Sequence, residues 1–341
     1  MVRSNLLNLP NELLIDVFKY FDTNQLFHSF HGLNTRLNNL VKEYHNGQLV
    51  LDTNQNFNFL FQYLKPEEIY SLTLPSSNQM VLFEKLFANK TFVKNCRALI
   101  VFDIEPWDFI DLVPRLPQFK SLLSLVIIRK TDICYTDIYQ QIFDIIGSNK
   151  MPSLKYLKLI SQDQMLFIRP ISLSAASIQN NLEYLTLERC KIIDLLNLYD
   201  YLPNLKKVYV HSLEVNERPS NSSQTKTKAT NLKIEIKQWS SETFDNLAVL
   251  LAQMPELKIL SIKAFGKNVP SGQKWEHLIQ RNIPHLKKFR FEFRMRDIAD
   301  FNMIWSTFET VFSLNTTEWS GKCKQIHDRQ RHTLICQCMR S

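Results

Sequence analysis

Glycine is scarce in this sequence, with six residues in 341. Enzymes that bind nucleotides through a Rossmann or P-loop motif need glycines where the backbone approaches a phosphate. None of the patterns GxGxxG, GxxxxGKS/T and GxSxG occurs. Because no nucleophile, base and orienting group can be assembled from the spacing of the histidines and carboxylates either, we expect a protein that is not an enzyme and uses no cofactor.

Long apolar runs are missing too. No stretch approaches the roughly 20 consecutive apolar residues that cross a bilayer, and the N-terminus lacks the basic segment and apolar run of a secretion signal. We therefore expect reduced thiols and a location in the cytoplasm, the nucleus or both. The six cysteines are Cys96, Cys134, Cys190, Cys323, Cys336 and Cys338.

One group of cysteines and histidines near the C-terminus could in principle hold zinc. It consists of Cys323, His327, His332, Cys336 and Cys338. The spacing of the last two cysteines differs from the paired-cysteine knuckle of most zinc sites, and strand alternation places both on one face. Small buried side chains are the simpler interpretation, so we predict no metal site.

Charge and composition leave the class of partner open. The formal net charge is +8, from 41 basic and 33 acidic residues, and 45% of the residues are apolar, as in an ordinary globular protein. This charge permits an acidic protein or a nucleic acid as partner. A basic chain that is merely kept in solution by its charge is the simpler reading.

The first forty residues carry three short amphipathic helix patterns. Apolar residues recur at spacings of three and four between Leu13 and Phe21, and Pro10 suits the first turn of that helix. Asp22 and Asn34 are candidate caps of the second and third helices. Three such helices have more apolar side chains than their own core can bury, so one surface is expected to dock on another protein.

Residues 6–43 resemble an F-box. The resemblance rests on the opening Leu9-Pro10-x-Glu12-Leu13-Leu14, on an aromatic residue six positions after Glu12, and on later leucines. Where the family often has Val-Cys followed by tryptophan, this chain has Leu33-Asn34 and Leu37. The resemblance implies docking on a Skp-type adaptor and, through it, on a cullin scaffold. The adaptor-binding residues that it implies are Leu9, Pro10, Leu13, Leu14, Phe18, Leu33 and Leu37. The alternative is a helical cap on the repeats that follow.

The remainder of the chain repeats a short pattern of the form L-x-x-L-x-L. Its copies are spaced by about twenty to thirty residues, the range of leucine-rich repeats. Proline stands two residues before the first leucine in several copies, as at Pro152 and Pro284. The copies begin at Ile69, Cys96, Leu122, Leu154, Leu182, Leu205, Leu232 (shifted), Leu257 and Leu286.

Amphipathic helix patterns lie between most copies, so we predict an α/β fold in which strand and helix alternate and the strands run parallel. This order resembles F-box proteins with degenerate leucine-rich repeats. The domains expected from it are an F-box at 1–45, a solenoid at 46–315 with a flexible loop at 214–230, and a C-terminal capping hairpin at 316–341. The helical patterns lie at 80–86, 107–116, 138–146, 192–202, 244–254, 275–283 and 298–312.

Side chains that alternate with the leucines should share the face of the sheet away from the helices, which is concave in a solenoid. They are small or apolar in the early strands and basic or aromatic in the later ones. We expect this face to bind the substrate protein through an acidic or phosphorylated segment. The residues expected to do so are Tyr156, Tyr184, Lys207, Tyr209, Lys233, Lys263, Lys288 and Arg290.

The resemblance thus implies a substrate-recognition subunit of a Skp–cullin–F-box ubiquitin ligase. One alternative is a leucine-rich-repeat scaffold that works independently of ubiquitin ligation. The other is a nucleic-acid binder, which the mixing of lysine and arginine with glutamate disfavours. No membrane partner is expected.

Overall fold

The computed structural model shows a mixed α/β protein with mostly parallel strands, as the repeat pattern predicted. The chain forms two compact units, Met1–Thr131 and Asp132–Ser341, and the division falls inside the predicted solenoid. In the part that the structure describes, no helix is both long and apolar enough to cross a bilayer. The described residues are 9–21, 23–44, 48–50, 64–74, 80–129, 136–161, 181–215, 226–295, 298–312, 319–328 and 331–340.

The first unit opens with three short helices. Leu14 and Phe18 are buried one turn apart on the first of them, and the Phe18 ring lies 4.9 Å from that of Phe30, centre to centre. The predicted cap at Asn34 is confirmed, since its side chain accepts a hydrogen bond from the Leu37 backbone at 2.8 Å. The helices are α1 (Asn11–Phe18), α2 (Thr23–Phe30) and α3 (Thr35–Tyr44).

Four parallel strands follow in the first unit, and they pair in chain order. The first of these strands and a short capped helix, Lys90–Asn95, carry too few apolar residues to show in the sequence pattern. The strands are β1 (Gln48–Val50), β2 (Ser71–Leu74), β3 (Ala98–Phe102) and β4 (Ser124–Arg129), and the helices are α4 (Met80–Phe87), α5 (Lys90–Asn95) and α6 (Pro106–Leu112).

The described residues of the second unit form eight strands. The first six are parallel and pair in chain order. The last two form an antiparallel hairpin, as the sequence predicted for the C-terminus. The sixth strand pairs with the last one, also antiparallel. The strands are β5 (Tyr156–Ser161), β6 (Tyr184–Lys191), β7 (Lys207–Glu214), β8 (Asn231–Trp239), β9 (Ile259–Gly266), β10 (Lys288–Met295), β11 (Trp319–Asp328) and β12 (Arg331–Arg340). The helices are α7 (Thr136–Gly147), α8 (Ile192–Tyr201), α9 (Ser241–Ala252), α10 (Gly272–Asn282) and α11 (Ile298–Phe312).

The same backbone connection recurs where the strands begin. The carbonyl oxygen just before one strand accepts hydrogen bonds from two consecutive N–H groups of the next repeat. The Glu183 carbonyl, for example, accepts from Lys206 at 2.8 Å and from Lys207 at 3.0 Å. The two backbone N–H groups at the start of each following strand are thereby paired. The same hydrogen bonds hold that strand in register on the preceding one. The other acceptors of this kind are Tyr70, Arg97, Lys155, Lys206, Thr230 and Lys258.

Burial alternates along the strands, as the repeat pattern requires. In β5 the leucines Leu157 and Leu159 are buried while Tyr156 and Lys158 are half-exposed. Aromatic rings fill the core towards the end of the second unit, where Phe291 stacks on Phe308 with ring centres 5.3 Å apart. Each fully buried phenylalanine contributes about 1.5–3 kcal/mol through removal of its apolar surface from water.

Two expectations about local structure need correction. Part of the predicted flexible loop, 216–225, lies outside the described residues, but its end is packed: Thr227 and Ala229 are buried, and the Thr227 N–H donates to the Gln253 carbonyl at 2.8 Å. The expectation of six reduced thiols is also wrong for one pair. Cys323 and Cys336 face each other on β11 and β12 and form a disulfide.

Candidate interaction surfaces

Helices α1–α3, which we call the helical unit, expose only some of the side chains that were predicted to bind the adaptor. Leu14, Phe18 and Leu37 are at most 1% exposed because they form the core between the three helices. The prediction that these three contact a partner directly is therefore wrong for this conformation. Leu13 and Leu33 are 50% and 57% exposed.

Arg36 joins the start of α1 to the start of α3. Its guanidinium group donates to the Asn11 side chain at 2.8 Å and to the Leu9 carbonyl at 2.6 Å. Exposed Pro10 and Leu33, which precede these two helices, consequently lie at the same end of the helical unit. Gly32 has a positive φ of 87°, a conformation that glycine adopts without strain, and its turn directs the chain into Leu33.

The first unit has a small apolar area on its strands. Ile100 of β3 is the register partner of Val126 of β4, and Phe102 is the partner of Ile128. All four side chains are half-exposed and alternate with buried ones. The sequence predicted an apolar surface on these early strands.

The second unit has a larger open face. We use this name for the described side chains of β5–β12 that alternate with the buried ones. Strand pairing arranges them in rows that cross the sheet, and the first two rows lie nearest the ends at which the parallel strands begin. The first row is Tyr156, Tyr184, Lys207, Asn231, Ile259, Lys288, Met339 and Ser320, and the second is Lys158, Thr186, Tyr209, Lys233, Ser261, Arg290, Gln337 and Lys322.

The third row of the open face mixes both signs of charge. Glu235, Lys263 and Glu292 are register partners on β8, β9 and β10. Lys263 lies 3.6 Å from the Glu235 carboxylate, and Arg294, one step further along β10, lies 3.0 Å from that of Glu292. Both contacts are partly exposed, so each stabilises the fold by well under about 1 kcal/mol.

The open face carries an excess of positive charge. Apart from Lys191 and Glu214 at the ends of β6 and β7, ten of its described side chains are basic and three are acidic. The acidic ones are Glu188, Glu235 and Glu292. The basic ones are Lys158, Lys207, Lys233, Lys237, Lys263, Lys288, Arg290, Arg294, Lys322 and Lys324.

Two tyrosine rings of the open face are covered by neighbouring side chains. The Lys207 ammonium lies 5.0 Å from the centre of the Tyr184 ring, and that of Lys233 lies 4.2 Å from the centre of the Tyr209 ring. His211 packs on Tyr209 with ring centres 4.1 Å apart. These contacts hold the lysines over the sheet instead of leaving them free in solvent.

His211 on the open face has a shifted pKa. Its pKa is lowered, first because partial burial disfavours the imidazolium and then because Lys158 and Lys233 repel a positive charge, while Glu188 and Glu235 oppose the shift. The ring is therefore neutral at pH 7 and adds no charge to the face.

All eight residues expected to bind the substrate lie on the open face. Arg294, Lys322 and Lys324 belong to the same face and were not among them. Arg294 could have been found from the sequence, because apolar and polar residues alternate along β10 as far as Met295. Lys322 and Lys324 alternate in the same way along β11, which pairs with β12.

The described residues were also examined for a metal site. No group of three or more histidine, cysteine, aspartate or glutamate side chains in that part of the chain could hold a metal ion. Cys336 and Cys338 are buried beside Leu334 on one face of β12, in agreement with the sequence interpretation.

Comparison with known proteins adds no further constraint. No protein-family model matches this chain, and no curated protein matches it at a significant level.

Proposed function

We propose that this chain is a substrate-recognition subunit of a Skp–cullin–F-box ubiquitin ligase. The three N-terminal helices would bind the Skp-type adaptor, and the strand faces that follow in the chain would bind the protein to be ubiquitinated. The observation that carries the proposal is the exposure of Leu13 and Leu33 on a helical unit that buries Leu14 and Leu37 and begins with the F-box-like Leu9-Pro10.

The helical unit leaves apolar surface exposed that a partner can cover. Leucine side chains that stay half in water at one small helical unit gain free energy when a partner covers them, at about 25 cal/mol per Å² of apolar area. Because the other predicted residues are buried in the helical core, Leu9, Pro10, Leu13 and Leu33 remain to contact the adaptor. Tyr20 is also exposed and is an aromatic residue of the kind that anchors interfaces.

Co-purification with a Skp-type adaptor tests this proposal. We expect the wild-type chain to form a stable complex and the double variant Leu13→Ala, Leu33→Ala to bind at least about tenfold more weakly, because two apolar contacts are lost. Leu9→Ala with Pro10→Ala should act in the same direction. Circular dichroism should show both variants folded, since neither Leu13 nor Leu33 belongs to the core.

Val81→Ala with Leu123→Ala is the matched control, because these two side chains are also exposed and apolar in the first unit but lie outside the F-box-like segment. Its adaptor affinity should equal that of the wild type. Equal weakening by both pairs, or no complex with the wild type, would contradict the proposal and favour an interaction scaffold independent of ubiquitin ligation.

A further inference from the structure

The first and second rows of the open face contain no acidic side chain among the described residues. We call these first and second rows the basic band. Its six cations come from five strands, and in the described part of the chain none of them is in salt-bridge contact with a carboxylate. The cations are Lys158, Lys207, Lys233, Lys288, Arg290 and Lys322.

The dimensions of the band suit one extended chain. The eight strands lie about 4.8 Å apart and the two rows about 6.6 Å apart, so the band is about 34 Å long and less than about 10 Å wide. An extended polypeptide of about ten residues has that length and width. A nucleic-acid duplex needs a wider surface, and its phosphates would meet the glutamates of the third row.

The aromatic rings also argue against single-stranded nucleic acid. Proteins that bind single strands offer open aromatic faces on which bases stack. Here Lys207 covers Tyr184, Lys233 covers Tyr209, and His211 packs against Tyr209 as well. Two of the three tyrosines of the band therefore hold an ammonium group over one ring face, where a base would otherwise stack.

From these observations we infer that the basic band binds an extended, acidic segment of a protein, lying across the strands with its carboxylates or phosphates on the six cations. This inference deepens the proposed function by giving the chemistry of the substrate, and it does not need the adaptor. Carboxylate and phosphate present the same anionic oxygens to lysine and arginine, so both are compatible with the band.

A binding experiment on the full-length chain tests this inference. The probe is a labelled twelve-residue peptide with four glutamates, compared with the same peptide carrying glutamines and with one carrying four phosphoserines. We expect the glutamine peptide to bind at least about tenfold more weakly, because it has no charge to place on the cations. Affinity for both anionic peptides should fall as salt is raised.

The band variant carries Lys207→Glu, Lys233→Glu and Arg290→Glu. Its affinity for the glutamate peptide should fall by roughly 30-fold, because three contacts change from attraction to repulsion. The control variant carries Lys267→Glu, Lys274→Glu and Arg281→Glu, which are exposed and make the same change in net charge off the open face. Its affinity should stay within about threefold of the wild type.

Three results would overturn the inference: equal loss in both variants, equal binding of the glutamine peptide, or tighter binding of a single-stranded oligonucleotide with the same dependence on the band. If the triple variant does not fold, glutamine at the same three positions keeps the apolar stems and repeats the test.

Adaptor co-purification of the band variant is measured in parallel. Peptide binding without adaptor binding would refute the ligase function alone. Adaptor binding without peptide binding would refute only the inference that the basic band binds an acidic segment.

Discussion

Individual side chains show how burial controls chemistry in this protein. Burial raises the pKa of the Cys96 thiol to about 12, partly offset by its contact with the Ala98 carbonyl, and it raises the pKa of Cys338 to about 12. Burial raises the pKa of Cys190 as well. Thiolate is the reactive form, so these three cysteines are packing residues and not nucleophiles.

We predict that iodoacetamide at pH 8 does not modify these three thiols in the folded protein. For Cys96 and Cys338, with a pKa of about 12, only about one thiol in ten thousand is ionised at that pH, and the side chains around all three thiols block the reagent. Mass spectrometry should find them alkylated only after denaturation. Rapid labelling of Cys338 in the native state would contradict the packing described for β12.

At the scale of secondary-structure elements, α10 and α11 are packed unusually closely. A Cβ atom added to Gly272, the first residue of α10, would collide with the backbone of Thr307 and lie 2.8–3.0 Å from atoms of Thr307 and Phe308. The Gly272 N–H also donates to the Thr307 hydroxyl at 2.9 Å. Only glycine permits this approach of two backbones.

We predict that Gly272→Ala lowers the free energy of unfolding by about 1–3 kcal/mol, because α11 must move away and lose core contacts. Urea denaturation followed by tryptophan fluorescence measures the change. The neighbouring exposed Gln273→Ala is the control and should alter stability by less than about 0.5 kcal/mol. A Gly272→Ala protein as stable as the control would show that the two helices separate at no cost.

The elements show what the sequence could and could not predict. Leucines at fixed spacing located nine strands, because burial on one face of a parallel sheet requires that spacing. Helix α5 was missed because only Phe92 and Val93 are buried, although Asn89 caps it as the sequence permits. Leu14 and Phe18 were assigned to the adaptor surface because an apolar stripe in a sequence does not show whether it packs in its own core or against a partner.

At the scale of the whole molecule, the distribution of charge matters more than its sum. The band variant and the control variant both lower the formal net charge from +8 to +2, because each reversal removes two charges. They differ only in whether the removed cations come from the open face. A charged matrix binds the face on which cations cluster.

We predict that the two variants separate on a cation-exchange column. The control should elute at nearly the salt concentration of the wild type, whereas the band variant should elute at clearly lower salt, because it has lost the cluster that binds the matrix. Co-elution of the two variants would mean that net charge alone governs adsorption, and that the open face has no special role in it.

The position of β11 has a consequence for how copies of this molecule behave towards one another. In the described part of the chain β11 is the last strand of the sheet and pairs on one side only, with β12. Its outer backbone groups are a template on which the edge of another copy could polymerise. Lys322 and Lys324 stand on that strand, and two identical edges would bring these like charges together. Repulsion between these lysines disfavours edge-to-edge pairing of two copies through β11.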